Sequence, residues 1–178
     1  WARLSDADQH LIEATLVELL TGLDPARTVL VTGGTRHGVE ALVQRHGRRL
    51  GFRILGVLVW ELSPDDLGAS DPTEDPRCTT PTWAVIAGER LYDKAARLYG
   101  RLRDHDGWCL FFAGGHIVGD EIQAAANLGL RRLLMNGPDG ASTLHASLQP
   151  HLAFHNAQEA LRAIAGDGAA LGPLRGLR

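Results

Sequence analysis

Short apolar runs alternate along the chain with amphipathic stretches. Five such runs predict strands, and a shorter one predicts a sixth: 28–32, 52–60, 82–87, 108–112, 131–135 and 151–154. Most of these runs are continuously apolar instead of alternating, which is typical of parallel strands buried on both faces. The pattern therefore predicts a mainly parallel sheet.

The stretches between these runs predict helices. Apolar residues recur at helical spacing over Asp6–Leu20, where Ser5 is the predicted N-cap. Further helices are predicted over Glu89–Arg103, after Gly38, over Glu121–Leu128 and over Ala157–Ala165. Strands that alternate with helices predict an α/β fold, here a Rossmann-like three-layer sandwich. We expect one domain over residues 1–165 and a flexible tail over 166–178.

Two of the strand-to-helix junctions carry paired glycines, Gly33-Gly34-x-x-x-Gly38 and Gly114-Gly115-x-x-x-Gly119. Ligands of open parallel sheets bind beyond the carboxyl ends of the strands, and glycine lets backbone N–H groups approach a phosphate there. Threonine, arginine and histidine around these glycines are suitable phosphate partners. The predicted ligand-binding residues are Thr32, Gly33, Gly34, Thr35, Arg36, His37 and Gly38 at the first junction, Gly114, Gly115, His116 and Gly119 at the second, and Asn136 after the fifth strand.

Each of these features also has a simpler interpretation. The glycines are compatible with tight turns alone, and the two histidines with exposed loop positions. Asp120 and Glu121 are either caps of the following helix or catalytic carboxylates. No third ligand is spaced to join His37 and His116, so no metal site is predicted. No cofactor is expected either.

Composition narrows the class of protein further. The 178 residues carry a net charge of −3 with scattered basic residues, which argues against nucleic acid as a partner. No apolar run approaches the about 20 residues that cross a bilayer, and two cysteines indicate no disulfide framework, so a cytoplasmic location is expected. The segment Glu61–Pro81 holds four of the eight prolines and is predicted to be a lid or a disordered loop.

The segments VTGGTRHGVE, LFFAGGHIVGDEIQAAANLG and LLMNGPDG resemble the SLOG superfamily, over about residues 28–165. This superfamily includes the Lonely Guy phosphoribohydrolases, the DprA/Smf proteins and the ligand-binding region of TRPM channels. The resemblance implies a phosphate-binding glycine loop and, in the enzymes, a catalytic glutamate. Here Ala113 replaces the proline of the enzymes' motif, no threonine follows Gly119, and Glu121 is displaced from the glutamate position.

Three functions stay open from the sequence. The favoured one is a sensor-like domain that binds an NAD-derived, ADP-ribose-type or other phosphate-bearing nucleotide. The second is an N-glycosidase or phosphoribohydrolase that uses Glu121 or Asp120, and the third is an assembly domain whose site has decayed. The chain begins with Trp1, and we expect either a homo-oligomer or part of a larger multidomain protein.

Overall fold

A computed structural model describes residues 4–32, 38–59, 84–86 and 107–166, with the backbone alone for residues 56–59 and 84–86. Five helices lie in these ranges: α1 (Asp6–Gly22), α2 (Gly38–Arg49), α3 (His116–Asn127), α4 (Ala141–Leu148) and α5 (Ala157–Ile164). The strands are β1 (Val29–Thr32), β2 (Arg53–Val59), β3 (Ala84–Ile86), β4 (Trp108–Phe111), β5 (Arg131–Met135) and β6 (Ala153–Phe154). A 3₁₀ turn over Pro150–Leu152 precedes β6.

These strands form two three-stranded sheets, ordered β1-β2-β3 and β4-β5-β6, in which every pair is parallel. The predicted α/β class with parallel strands is therefore confirmed. The chain divides into two compact units, one of residues 1–3 and 16–89 and one of residues 4–15 and 90–178. The three-layer arrangement and the single domain over 1–165 stay predictions.

The first sheet has α2 packed on β1 and β2. β1 ends at Thr32 and α2 begins at Gly38, so a strand does lead into a helix across the first glycine junction, as predicted. The residues between them, Gly33, Gly34, Thr35, Arg36 and His37, lie outside the described residues. The segment Glu61–Pro81, the predicted helix Glu89–Arg103 and the tail from residue 167 also lie outside them.

The second sheet has its own hydrophobic core. β5 is its central strand, and the cluster packed around it consists of Cys109, Phe111, Ile122, Ala125, Leu130, Leu134, Ala146, Leu152 and Ala153. At the carboxyl end of the strands, the rings of Phe112 and Phe154 meet edge to face with centroids 5.7 Å apart. This core holds the strand ends on which the second glycine junction is built.

The helices differ from the sequence prediction at one start and three ends: α1 ends at Gly22 instead of Leu20, α5 ends at Ile164 instead of Ala165, and α3 differs at both ends. The helix predicted over Glu121–Leu128 begins five residues earlier, at His116, and ends at Asn127. The helix over Ala141–Leu148 was not predicted. By contrast, Ser5 caps α1 as predicted, because its hydroxyl accepts the Asp8 backbone N–H at 3.1 Å. No helix among the described residues is long and apolar enough to span a membrane.

Candidate functional site

The carboxyl ends of β4, β5 and β6 lie at one edge of the second sheet, because the three strands are parallel. Each strand is followed there by a short connection and then by a helix: β4 by α3, β5 by α4 and β6 by α5. This edge therefore gathers three helix starts. Helix N-termini favour anions. The hydrogen bonds and side chains already present at each helix start therefore determine whether an anionic ligand fits there.

Two glycines at this edge are required by the fold. Gly114 has φ +95°, and a Cβ there would lie 2.4 Å from Cγ2 of Val118. Gly140, before α4, has φ +135°, and a Cβ there would lie 2.6 Å from the carbonyl oxygen of Gly114. The loop after β4 and the loop after β5 thus approach each other so closely that neither position accepts a side chain without rearrangement. Gly114 was predicted to bind ligand. The structure shows that glycine is needed at this position for the close approach of the two loops.

The start of α4 is closed by backbone and side-chain hydrogen bonds. The N–H of Ala141 donates to the Gly114 carbonyl at 2.8 Å, and the N–H of Ser142 donates to the Ala113 carbonyl at 3.1 Å. The buried Ser142 hydroxyl lies 2.8 Å from the carbonyl oxygens of both Phe111 and Met135, one at the end of each strand. The first amides of α4 are therefore already satisfied within the protein.

The start of α3 is different. Its N-cap is Gly115, which is exposed, has φ −92° and makes no side-chain capping bond. A Cβ on Gly115 would meet no heavy atom of the described residues within 4 Å. The first turn contains no acidic residue, and its first residue, His116, is exposed. Among the residues that the structure describes, neither a capping side chain nor a first-turn acid neutralises the positive end of the α3 dipole.

The start of α5 carries both a cap and an acid. The Asn156 side chain accepts the backbone N–H of Glu159 at 3.0 Å, and the Glu159 carboxylate accepts from the backbone N–H of His155 at 2.7 Å. The same carboxylate oxygen lies 3.2 Å from Nδ1 of the His155 ring. Partial burial raises the pKa of Glu159, but the hydrogen bonds and charge of His155 together with the Asn156 amide outweigh it, so the pKa is lowered overall.

Asn136 joins the connection after β5 to the start of α5. Its backbone N–H donates to the Phe154 carbonyl at 2.9 Å, which continues the pairing of β5 with β6. Its side-chain Nδ2 lies 3.1 Å from Nε2 of His155. Asn136 was predicted to bind ligand, whereas His155 and Glu159 were missed. The only sequence signal for them is the spacing Asn156-x-x-Glu159, which is typical of a helix cap.

Asp120 and Glu121 are the fifth and sixth residues of α3, and so lie in its second turn. The interpretation of these two acids as caps is therefore wrong, because the helix begins at His116. Asp120 is exposed and Glu121 is half-buried. Their predicted catalytic role stays a prediction.

Glu121 contributes to the electrostatics around Cys109, the second residue of β4. Burial raises the pKa of the Cys109 thiol to about 11, Arg132 on the neighbouring strand lowers it, and Glu121 raises it.

Gly119 is the fourth residue of α3. A Cβ there would lie 3.7 Å from Nε2 of His145, which is an ordinary contact distance. Gly119 therefore faces the neighbouring helix α4.

Among the described residues, the predicted site residues therefore lie at different places in the fold. Gly115 and His116 lie at the open start of α3, and Asn136 lies one strand away. Gly114 and Gly119 contribute to packing, while Thr32 and Gly38 frame the other junction. A comparison of this chain with models of protein families, with curated proteins and with solved structures finds no match.

Proposed function

We propose that this protein binds a phosphate-bearing, nucleotide-like ligand at the start of α3, and acts as a binding or sensing module. The observation that carries the proposal is the contrast among the three helix starts at this edge. The amides that open α4 are bonded to Ala113 and Gly114, and the start of α5 is occupied by Asn156 and Glu159. The start of α3 is preceded by Gly115, which supplies no capping side chain.

Glycine at an N-cap is itself informative. Serine, threonine, aspartate and asparagine stabilise such a position better, and glycine is needed for conformation only where φ is positive. At Gly115 neither φ nor crowding by the described residues requires glycine. An absent side chain there leaves room for the oxygens of a phosphate to reach the first-turn amides, which supports an anion as the ligand.

The nucleotide character of the ligand rests on the resemblance to the SLOG superfamily. Hydrolysis of an N-glycosidic bond has less support than binding. The candidate carboxylates Asp120 and Glu121 belong to the second turn of α3, and Glu121 is near enough to Cys109 to affect its pKa.

Replacing Gly115 with aspartate tests the proposal. A carboxylate at the N-cap accepts the first-turn N–H groups and occupies the position proposed for the phosphate. Gly115→Asp should therefore retain or raise the melting temperature of the free protein, but remove the ligand-induced rise. The ligands to use are AMP, ADP-ribose, cyclic ADP-ribose, NAD and inorganic phosphate.

Asn127→Asp is the matched control, because it adds the same charge at the opposite end of the same helix. It should retain the ligand-induced rise. If none of the five compounds raises the melting temperature of the unaltered protein, or if Gly115→Asp still responds, the proposal is wrong. Release of free base from AMP, lost in Glu121→Gln, would instead support the hydrolase.

A further inference from the structure

Asn136 and Gly137 lie directly after β5 and form the one asparagine–glycine pair of the sequence. The other two asparagines, Asn127 and Asn156, precede leucine and alanine. Asparagine is a thermally labile residue, because the backbone nitrogen of the next residue attacks its side-chain carbonyl. Glycine hinders this attack least, since it has no side chain. Asn136 is therefore the asparagine whose local sequence most favours deamidation.

The reaction takes place within the chain and has water as its only co-reactant. The Gly137 nitrogen bonds to Cγ of Asn136 and loses its proton, the Cγ–Nδ2 bond breaks, and ammonia leaves with that proton. Water then opens the resulting succinimide ring at one of its two carbonyls, which gives aspartate or isoaspartate. Gly137 is exposed, so water reaches the ring. The product carries one more negative charge than the asparagine.

The fold restrains the reacting side chain of Asn136. Its backbone N–H donates to the Phe154 carbonyl at 2.9 Å, which extends the pairing of β5 with β6 by one residue. In an extended strand, the side chain stands away from the following peptide nitrogen. The side-chain Nδ2 also lies 3.1 Å from Nε2 of His155, whose other ring nitrogen lies 3.2 Å from Glu159. Ring closure therefore requires Asn136 to rotate away from these partners.

The attacking nitrogen is restrained as well. The Gly137 N–H donates to the Thr143 hydroxyl oxygen at 3.2 Å, and that hydroxyl donates in turn to the Pro138 carbonyl. Thr143 belongs to α4, whose start is fixed by the hydrogen bonds of Ala141 and Ser142. The nitrogen loses its proton to a base only after its hydrogen bond opens. The nucleophile and the leaving group are thus held by two separate parts of the fold, α4 and the connection between β6 and α5.

We infer that Asn136 is a self-modification site whose rate of deamidation is set by the opening of the turn between β5 and α4. The closed turn keeps both reacting groups bonded to other partners, and each local opening exposes them to each other and to water. Deamidation therefore accumulates with time and places a new carboxylate beside His155, at the carboxyl edge of the second sheet. This inference is independent of the proposed function, because it requires no ligand.

The test follows the conversion of each asparagine by mass spectrometry during incubation at neutral pH, in buffer and in urea. Cleavage by trypsin after arginine gives a peptide of residues 133–162 that contains Asn136 and Asn156, and fragment ions assign the mass gain to one of them. In urea, Asn136 should convert faster than Asn127 and Asn156. In the folded protein, Asn136 should convert at least about tenfold more slowly than in urea, because two hydrogen bonds must open first.

Two pairs of variants test the two restraints. Thr143→Val removes the acceptor of the Gly137 N–H and should raise the rate in the folded protein about fivefold, whereas Thr143→Ser keeps the hydroxyl and should retain the rate. His155→Ala removes the partner of the Asn136 amide and should also raise the rate about fivefold. Its control is His151→Ala, at an exposed histidine of the 3₁₀ turn, which should leave the rate unchanged. In urea, all four variants should convert at the rate of the unaltered protein.

Asn127 is the internal control in every sample, because it lies at the end of α3 and its side chain accepts from Gln123 at 3.0 Å. Its conversion should not rise with that of Asn136, which separates opening of the turn from unfolding of the whole chain. Where Thr143→Val does not fold, as circular dichroism shows, His155→Ala gives the readout.

Three results would overturn the inference. They are a rate at Asn136 in urea no higher than at the other two asparagines, equal rates at Asn136 in urea and in the folded protein, and unchanged folded-state rates in both Thr143→Val and His155→Ala. A rise at Asn136 alone in either variant supports it.

Discussion

The close packing of the loop before α4 against the loop after β4 leads to a quantitative prediction for Gly140→Ala. A Cβ at this position would lie 2.6 Å from the Gly114 carbonyl oxygen and 2.9 Å from its nitrogen, and the backbone has φ +135°. A non-glycine residue in such a conformation costs about 1–3 kcal/mol. Displacing Gly114 also weakens the hydrogen bond from Ala141, which contributes about 1 kcal/mol. The expected loss in the free energy of unfolding is therefore about 2–4 kcal/mol.

Gly115→Ala is the matched control for this prediction. It adds the same methyl group to a neighbouring loop, where φ is −92° and no heavy atom of the described part of the chain lies within 4 Å of the new Cβ. Its expected cost is below about 1 kcal/mol, since alanine is only a poorer N-cap than glycine. Urea denaturation followed by circular dichroism measures both variants. If Gly140→Ala is no less stable than Gly115→Ala, the close packing of the two loops is refuted.

Three further predictions concern buried and titrating groups. Ser142→Ala should lower the free energy of unfolding by about 1–3 kcal/mol in urea denaturation, because the carbonyls of Phe111 and Met135 lose the hydroxyl that they share. The control Ser147→Ala, at an exposed hydroxyl, should lower it less, and equal losses would contradict the prediction. Folding raises the pKa of the Cys109 thiol from 9.0 to about 11, so its contribution to stability is complete below pH 9 and should be lost as pH rises through about 11. Cys109→Ala should flatten this alkaline decline in stability, and an unchanged slope would contradict the raised pKa. Folding lowers the pKa of Glu159, so the stability it contributes is present above its ordinary pKa of 4.5 and should be lost as pH falls through the folded value. In an acid titration, Glu159→Gln should lose stability less steeply than the unaltered protein, and identical curves would contradict the hydrogen bonds between Glu159 and His155.

The strands were predictable because their apolar runs are continuous. β5 has the predicted bounds, and β4 and β6 differ from prediction only at their ends. The register that brings Asn136 beside His155 was not predictable, because it depends on which strands pair. The two residues are joined by the β5–β6 ladder and by no local pattern.

The two larger errors in helix prediction have physical causes. Gly119 and the polar residues after it suggest a loop, yet α3 begins before them, where Gly114 turns the chain with a positive φ. The buried face of the unpredicted α4 carries the small residues Ser142 and Ala146, whereas its larger apolar residues Leu144 and Leu148 are exposed. Its start is stabilised by Ser142 and by carbonyls from a distant loop, contacts that no local sequence pattern contains.

The glycine pair of the second junction illustrates the same limit. The sequence treats Gly114 and Gly115 alike, and both were predicted to contact phosphate. The structure separates them: glycine at position 114 is required by its positive φ and by the closeness of Val118, whereas none of the described residues requires glycine at position 115. Under the proposed function, Gly115 is therefore the more informative of the two glycines.

Calorimetric titration of ADP-ribose into the unaltered protein and into Gly115→Asp tests the central claim most directly. The account predicts saturable one-site binding to the unaltered protein, an affinity lowered by at least about tenfold in Gly115→Asp, and unaltered affinity in Asn127→Asp. Equal affinities in the unaltered protein and Gly115→Asp would contradict an anion site at the start of α3.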